Sequence, residues 1–329
     1  MTSVIITPVY ATKANNRLDL LYQTAKSVRR QTYSELVHLI VDDGSPEDVS
    51  SFVNDLNDPR ARYVRREKQS GEINTASNPL NTGIGYILDK KHEIMTRKEA
   101  DEMESVTFLH SDDLLTYNSI MLRMAQLGNG FIYTDKMDFS EKGKMRKLEK
   151  GAELKGHVLI PENFYYFNHH TVMWDIDFLR YLRGHVGEKY GQEGVFDPRL
   201  SLGEDRDMSI SSVEAALKGN FRISYSPFVS MFYREHKKSI TWEHKEEGYV
   251  ESQHLINHNK HFPEVSTEKK DAGRVDRIMS DFPFSLFTLM PKSIKRPLRP
   301  TRNFVQGIQT RRKYPELNAE LEDLLREGK

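Results

Sequence analysis

Val37-His38-Leu39-Ile40-Val41 runs straight into Asp42-Asp43-Gly44-Ser45-Pro46, and the reading of this stretch decides the fold. The first half is apolar at almost every position, which suits a short strand covered on both faces. The second half is turn chemistry, and Ser45 followed by Pro46 predicts an N-cap and first residue for the next helix. Upstream, Ser3-Val4-Ile5-Ile6-Thr7 is a similar run closed by Pro8. Between the two, residues 17–30 place Leu18, Leu21, Ala25 and Val28 at helical spacing. Downstream, Arg62-Tyr63-Val64-Arg65, Val106-Thr107-Phe108-Leu109 and Gly130-Phe131-Ile132-Tyr133-Thr134 predict three more strands, the last ending at Asp135. Strand–helix alternation of this kind predicts an α/β fold with a mainly parallel sheet and helices on both faces. Residues 83–105 read as helical, Lys136–Gly156 as a surface hairpin or mobile loop, and Asp175–Arg183 and Glu204–Leu217 as further helices. The chain up to about residue 240 reads as one domain, followed by helical, polar segments and a different kind of tail.

Composition narrows the function classes. The 329 residues carry 48 Lys+Arg against 48 Asp+Glu, so the formal net charge is zero and coating of nucleic acid by charge alone is not expected. With no Cys there is no disulfide scaffold, no Cys-ligated zinc or iron–sulfur centre and no thiol nucleophile, a composition compatible with a reducing compartment. No apolar stretch approaches 18 residues, the length a transmembrane helix needs. The N-terminus opens directly on a strand-like run without the pattern of a secretory signal, so a cytoplasmic location is the expectation.

Acidic residues collect where the strands end. Asp42 and Asp43 close one strand, Asp112 and Asp113 follow another, and Asp135 is read at the end of a third. Ligands of open α/β sheets bind at the carboxyl ends of the strands. Carboxylates brought to one rim repel unless a cation or hydrogen-bond donors share the space. A hard divalent ion with oxygen ligands would resolve that repulsion, and a diphosphate would complete its shell. Taken alone, Asp42-Asp43-Gly44-Ser45 reads equally well as a turn with a helix cap, and Glu204, Asp205 and Asp207 as N-terminal helix residues.

Five segments in order resemble the family 2 glycosyltransferases: Ser3–Tyr10 with Gln31-Thr32-Tyr33; Val41-Asp42-Asp43-Gly44-Ser45; Phe108-Leu109-His110-Ser111-Asp112-Asp113; Gly203-Glu204-Asp205-Arg206-Asp207; and Tyr233–Thr241. Together they span residues 3–241. The resemblance implies the GT-A fold, with a domain over residues 1–240 (nucleotide-binding half 1–115, acceptor-binding half 116–240) and a mostly helical C-terminal extension over 241–329. It also implies sugar transfer with inversion from a nucleotide-diphosphate donor, a UDP-sugar being the first expectation, assisted by Mn²⁺ or Mg²⁺. Carried onto this sequence, Thr7, Pro8 and Tyr10 would border the nucleobase, and Asp43 or its neighbour Asp42 would accept a hydrogen bond from it. Asp112 and Asp113 would divide ribose contact and metal ligation, with Asp113 the first choice for the ion. His236 would swing over the diphosphate or complete the metal shell, with Arg234 and Lys237 near the phosphates, and Asp205 would be the general base. His169-His170-Thr171-Val172-Met173 resembles the acceptor-side strand, where a His can sit near the donor sugar; the histidines otherwise read as a core or surface pair, and Trp174 as core packing rather than a sugar platform.

Departures from the family pattern bear on the donor. His110 stands where many members carry a third Asp, and Leu80 replaces an Arg in Asn78-Pro79-Leu80-Asn81-Thr82-Gly83, with extra residues after Gly71. Arg65, Arg66 or Lys68 are candidates to supply the missing contact. Farther on, Phe282–Pro315 has no acidic residue but carries Lys292, Lys295, Arg296, Arg299, Arg302, Arg311, Arg312 and Lys313 behind a cluster of Phe, Leu and Met. Such a segment suits an anionic membrane surface and a lipid-linked acceptor, or else a packed tail with a solvated basic face. The competing classes are a nucleotidyltransferase and a non-catalytic nucleotide-sugar binding protein. Thr7-Pro8-Val9-Tyr10-Ala11 lacks the Gly-rich loop expected of the former, and the same lack counts against a dinucleotide-dependent dehydrogenase.

Overall fold

A computed structural model of the chain describes residues 1–68, 72, 75–151, 167–191, 194–200, 204–236 and 314–326. Its first strand, β1 (Thr2–Val9), is buried along its whole length and pairs in parallel with β2 (Leu36–Asp42) on one side and β4 (Met103–Phe108) on the other. β3 (Ala61–Arg65) extends the sheet beyond β2, also in parallel. The chain then changes direction. β8 (Val172–Asp175) lies antiparallel to β4 and to β6 (Gly130–Ser140), while β9 (Arg222–Glu235) runs parallel to β6. β5 (Leu114–Leu115) and β7 (Met145–Glu149) add antiparallel edges to β9 and β6. Among the described residues these nine strands form one sheet in the order β3-β2-β1-β4-β8-β6-β9-β5, with β7 against β6. All but β5, β7 and β8 point the same way, so the sheet is mostly parallel, in the α/β class expected.

Alternation along the buried strands explains the layers. Val4 and Ile6 of β1 and Val37, Leu39 and Val41 of β2 face one apolar cluster. They meet Leu80, Ile84 and Ile87 of α3 (Ser77–Asp89), together with residues of α7 (Ile176–Tyr190) and α8 (Glu204–Gly219). Ile5, Val9, Leu36 and Ile40 point the other way, toward α1 (Arg17–Arg29), α2 (Val49–Asp55) and α6 (Ser119–Met124). Each fully buried Ile, Leu or Val contributes about 1.5–3 kcal/mol, so this two-sided burial is what selects the sheet. Gly83 lets α3 sit directly on the strands: a Cβ there would stand 2.6 Å from Ile6 Cγ2 and 3.2 Å from Val41 Cγ2. Two short helices, α4 (Lys91–Ile94) and α5 (Arg97–Asp101), complete the expected helical stretch before β4. After the sheet, α9 (Pro315–Arg326) buries Leu321 and Leu324 against Leu114, Phe139 and Phe232. It is tied to the residue just past α1 by Arg30–Asp323 at 2.6 Å. No described helix is long and apolar enough to cross a membrane.

Several local expectations are corrected. Ser45 does not cap a helix: its hydroxyl accepts from the Ala11 N–H at 2.8 Å, its own N–H donates to Asp42 Oδ1 at 2.8 Å, and α2 is instead capped by Asp48. The strand read as ending at Asp135 continues as β6 to Ser140. Asp135 therefore lies inside the sheet, where Oδ1 accepts from Gly151 N–H and the Tyr225 hydroxyl, both at 2.8 Å. The charged segment after it is a hairpin, but Lys136 and Asp138 are buried in it, because Lys136 pairs with Asp138 and Glu149 at 3.1 Å each.

Candidate active site

The strand order places a switch point between β1 and β4: the chain winds outward through β2 and β3 before returning to β4 beside β1. The crevice beyond the carboxyl ends of these strands is where such sheets bind ligands. His110-Ser111-Asp112-Asp113 leaves β4 at that edge and is drawn across it by the pairing of β5 with Met231–Phe232 of β9. The pairing continues into the site, since the Arg234 N–H donates to Asp113 Oδ1 at 2.9 Å and Arg234 Nε donates to the Asp112 carbonyl at 2.8 Å. A further Arg234 donor, Nη2, goes to Gln23 Oε1 at 2.6 Å, so this arginine braces the loop. Lys237, its expected companion at the phosphates, lies outside the described residues.

The two neighbouring aspartates are held in different states. Asp112 Oδ2 meets Arg17 Nη1 at 2.5 Å and His236 Nε2 at 2.8 Å. Burial works to raise the Asp112 carboxyl, but the Arg17 guanidinium, the His236 hydrogen bond and the nearby His110 ring hold it well below the usual carboxylate range. Asp113 is 1% exposed; burial and then the Asp112 charge push its carboxyl well above that range. Its Oδ2 is buried without a hydrogen-bond partner among the described residues, and His170 Nδ1 lies 3.4 Å away. An ionised carboxylate beside one with an open oxygen is an arrangement that a cation completes. One possible ligand atom from each of His110, Asp112 and Asp113 lies within 4.8 Å of the others. His236, expected as a third ligand, is buried and hydrogen-bonded to Asp112.

Around the other strand ends, Asp42 is fully buried and fully engaged. Its Oδ1 takes Ser45 N–H, and its Oδ2 takes the Tyr63 hydroxyl and Arg65 Nη1, each at 2.8 Å. Asp43, 5% exposed, is buried as well and pairs with Arg66 and, at 3.1 Å, Lys68 Nζ. Gly44, at φ +71°, supplies the left-handed turn that separates the two carboxylates. Tyr10 is 38% exposed, and Lys68 Nζ stands 3.7 Å from its ring centroid. Pro8 is buried, and the Thr7 hydroxyl lies inside the sheet, 2.9 Å from His38 Nε2. Leu80 is buried in the core under α3, so it offers the rim nothing.

Asp205 opens α8, whose start is tied to the histidine turn: the Ser209 hydroxyl donates to the Phe167 carbonyl and to the Asp205 carbonyl, both at 2.7 Å. Asp205 is half-buried and Asp207 buried; Gly203 lies outside the described residues. His169 and His170 form a short 3₁₀ turn before β8, and Trp174 is core. Arg17 was not singled out from sequence. The signal for it was positional, because a helix that follows a parallel strand begins at the carboxyl edge of the sheet, and its first residue faces the rim.

The fold is GT-A-like, a mostly parallel sheet with the carboxylate loop at its switch point, and the comparisons bear on that fold. The model of glycosyl transferase family 2 matches residues 4–84. A glycosyltransferase of Rickettsia bellii is 26% identical over 158 residues, 47% of this chain and 19% of the relative; one of Rickettsia felis is 28% identical over 158 residues, 47% of this chain and 22% of the relative. The matched stretch is thus about a fifth of the length of either relative. Among solved structures, residues 1–349 of S. aureus TarS superpose with a TM-score of 0.51 at 17% identity, covering 100% of this chain and 92% of that one, a likeness of fold. Over residues 4–84, about a quarter of the chain, the sequence is therefore similar to the family 2 glycosyltransferases.

Proposed function

We propose that the protein transfers a sugar from a nucleotide-diphosphate donor, read as a UDP-sugar, to a hydroxyl of a glycan or lipid-linked acceptor, with inversion and with a divalent ion. The observation that carries this reading is the Asp112–Asp113 pair at the switch point, one carboxylate ionised against Arg17 and the other presenting a buried, unpartnered oxygen. Asp113 and Asp112 would hold Mn²⁺ or Mg²⁺, with His236 behind Asp112; the ion would stabilise the charge that builds on the departing diphosphate. Tyr10 and Asp43 would frame the nucleobase, Asp43 accepting its N–H, with Thr7 and Pro8 shaping the strand end beneath. Arg66 and Lys68, at the rim beside Asp43, would supply the cationic contact that Leu80 cannot. Asp205 would take the proton of the attacking hydroxyl, its ionised form favoured at the start of a 16-residue helix. The proposed division is a transferase over 1–240, with nucleotide and acceptor halves meeting near residue 115, and an extension over 241–329 whose described helix packs against residues of both halves.

The direct test is a thermal-shift panel of UDP, GDP, dTDP and CMP with and without Mn²⁺, followed by an assay of sugar release from the matching donor. A ligand at a hundred times its dissociation constant adds about 2.7 kcal/mol, a readable shift. A Mn²⁺-dependent shift with UDP and slow donor hydrolysis are expected. A shift without hydrolysis or transfer would favour a non-catalytic binder, and no shift with any nucleotide would overturn the reading.

A further inference from the structure

We propose that His110, His169 and His170 form a binding site for a divalent transition-metal ion, made of three imidazole nitrogens at the inner end of the carboxylate loop. The sheet assembles it from distant parts of the chain. β4 and β8 are antiparallel neighbours, with Thr107 opposite Met173, so the residue just past the end of β4 meets the turn just before β8. The rings of His110 and His170 have centroids 3.8 Å apart, His169 and His170 3.9 Å, and His110 and His169 5.0 Å. One nitrogen from each lies within 4.8 Å of the other two, and His110 Nε2 and His169 Nε2 are 3.1 Å apart. Two nitrogens bound to one ion at about 2.0–2.1 Å stand roughly 3 Å apart, so this spacing suits shared ligation as well as a hydrogen bond.

The second observation is the set of nitrogens left over. His169 is 1% exposed and His170 3%, yet His169 Nδ1 and both nitrogens of His170 have no hydrogen-bond partner among the described residues. A neutral imidazole carries one donor and one acceptor, and burying either unpaired is unfavourable. A cluster kept for packing alone would be better served by the Phe residues that already line it, Phe108 and Phe196, whose rings meet His169 edge-on. An ion would take up the acceptor nitrogens, and the Asp113 Oδ2 that stands 3.4 Å from His170 Nδ1 offers an oxygen beside them.

Donor chemistry sets the ion class. Imidazole nitrogens favour Zn²⁺, Co²⁺ and Ni²⁺, whereas Mg²⁺ demands oxygen ligands. His110 is common to this set and to the His110–Asp112–Asp113 set, so an imidazole-bound ion would lie alongside the proposed diphosphate ion and share a ligand with it. The proposal stands on the histidine geometry and does not need the transferase reading.

The test uses metal alone, with no nucleotide, on full-length tag-free protein stripped with EDTA. Co²⁺ titration should show one equivalent bound with a visible ligand-field band of nitrogen ligation, displaced by Zn²⁺ and untouched by excess Mg²⁺. His169→Gln and His170→Gln should each weaken Co²⁺ binding by about tenfold or more, since even groups that only support a ligand have effects of that size. His236→Gln, outside the trio, should keep the band. Wild-type protein that binds no Co²⁺, or binding that persists in both His169→Gln and His170→Gln, would overturn the site. The wild-type arm decides even if a variant fails to fold, and because no nucleotide is present, loss of this site and loss of the transferase reading remain separate results.

Discussion

Arg17 Nη1 and Asp112 Oδ2 stand 2.5 Å apart, joining the first residue of the first helix to the carboxylate loop 95 positions later. The contact is mostly shielded from water, and the same oxygen accepts from His236. Two further bonds fix the helix to the loop: the Thr24 hydroxyl donates to the Asp113 carbonyl at 2.8 Å, and Gln23 accepts from Arg234. The ionised state of Asp112 therefore depends on α1 holding its position.

Arg17→Ala should remove that support. Hydrogen bonds to charged groups are worth about 1.5–3 kcal/mol, and the His236 contact remains, so a stability loss of about 1–2 kcal/mol is expected by urea denaturation. UDP affinity in Mn²⁺ should fall as well, because the loop loses its anchor. A variant with unchanged midpoint and unchanged affinity would show that the pair contributes neither.

Asp113→Asn should have opposite effects on stability and on binding. The Asp113 carboxyl titrates higher in the fold than in the unfolded chain, so its contribution to stability is present at low pH and lost as pH rises through the folded value. At neutral pH an amide of the same shape relieves the burial and the repulsion from Asp112, while Oδ1 can still accept from Arg234. In EDTA the variant should melt higher than wild type at pH 7 and no higher at pH 4. In Mn²⁺ it should lose the metal-dependent part of nucleotide binding, read by calorimetry. Wild-type binding in the variant would exclude Asp113 as a ligand.

The parts of this molecule legible in its sequence are those where burial leaves an apolar run. β1, β2 and β4 were plain for that reason, and the acidic pairs that follow β2 and β4 marked the rim. Polar residues that are buried by pairing were not legible. Lys136 and Asp138 look like a surface loop until Glu149 of the next strand is seen to share their charge. Ser45 has the chemistry of a cap, and only the return of Ala11 beside it shows where its oxygen goes. The meeting of His110 with His169 and His170 depends on β8 running antiparallel to β4, a pairing that no local pattern announces.

His38 makes stability fall in mild acid. Burial, opposed by the Asp58 charge and reinforced by Arg60, lowers its pKa to about 4 from an unperturbed 6.5. Between these values the unfolded chain binds a proton that the fold does not, so stability is lost as pH drops from 6.5 to 4, by about 1.4 kcal/mol per pH unit from this residue. His38→Gln keeps a polar partner for the Thr7 hydroxyl and cannot titrate. Urea midpoints across this window should decline less steeply in the variant by that amount; parallel slopes would remove His38 as a source.

The basic stretch 282–315 falls outside the described residues apart from Tyr314 and Pro315, and the expectation of a membrane surface rests on its composition. Deleting everything after 281 is a poor test, because Leu321 and Leu324 are part of the core. Replacing Lys292, Lys295, Arg296, Arg299 and Arg302 with Gln in the full chain leaves α9 intact. Each basic side chain near an anionic surface contributes about 1 kcal/mol. Flotation with vesicles containing phosphatidylserine should recover wild type and lose the variant, with neither floating on neutral vesicles. Equal behaviour on both would end the idea.

Asp205→Asn separates chemistry from binding. The side chain heads α8, and its backbone carbonyl is fixed by Ser209, so the amide can occupy the same place without moving the helix. Asn cannot accept the hydroxyl proton, and loss of a general base lowers rates by about a hundredfold or more. Nothing in the donor site is altered, so the Mn²⁺-dependent thermal shift with UDP should match that of wild type. The informative comparison is therefore single-turnover transfer at saturating donor beside that shift. A lowered rate with an equal shift assigns the proton to Asp205. An undiminished rate would move the base elsewhere on the acceptor side, with Glu204 and Asp207 of the same helical turn the next to be replaced.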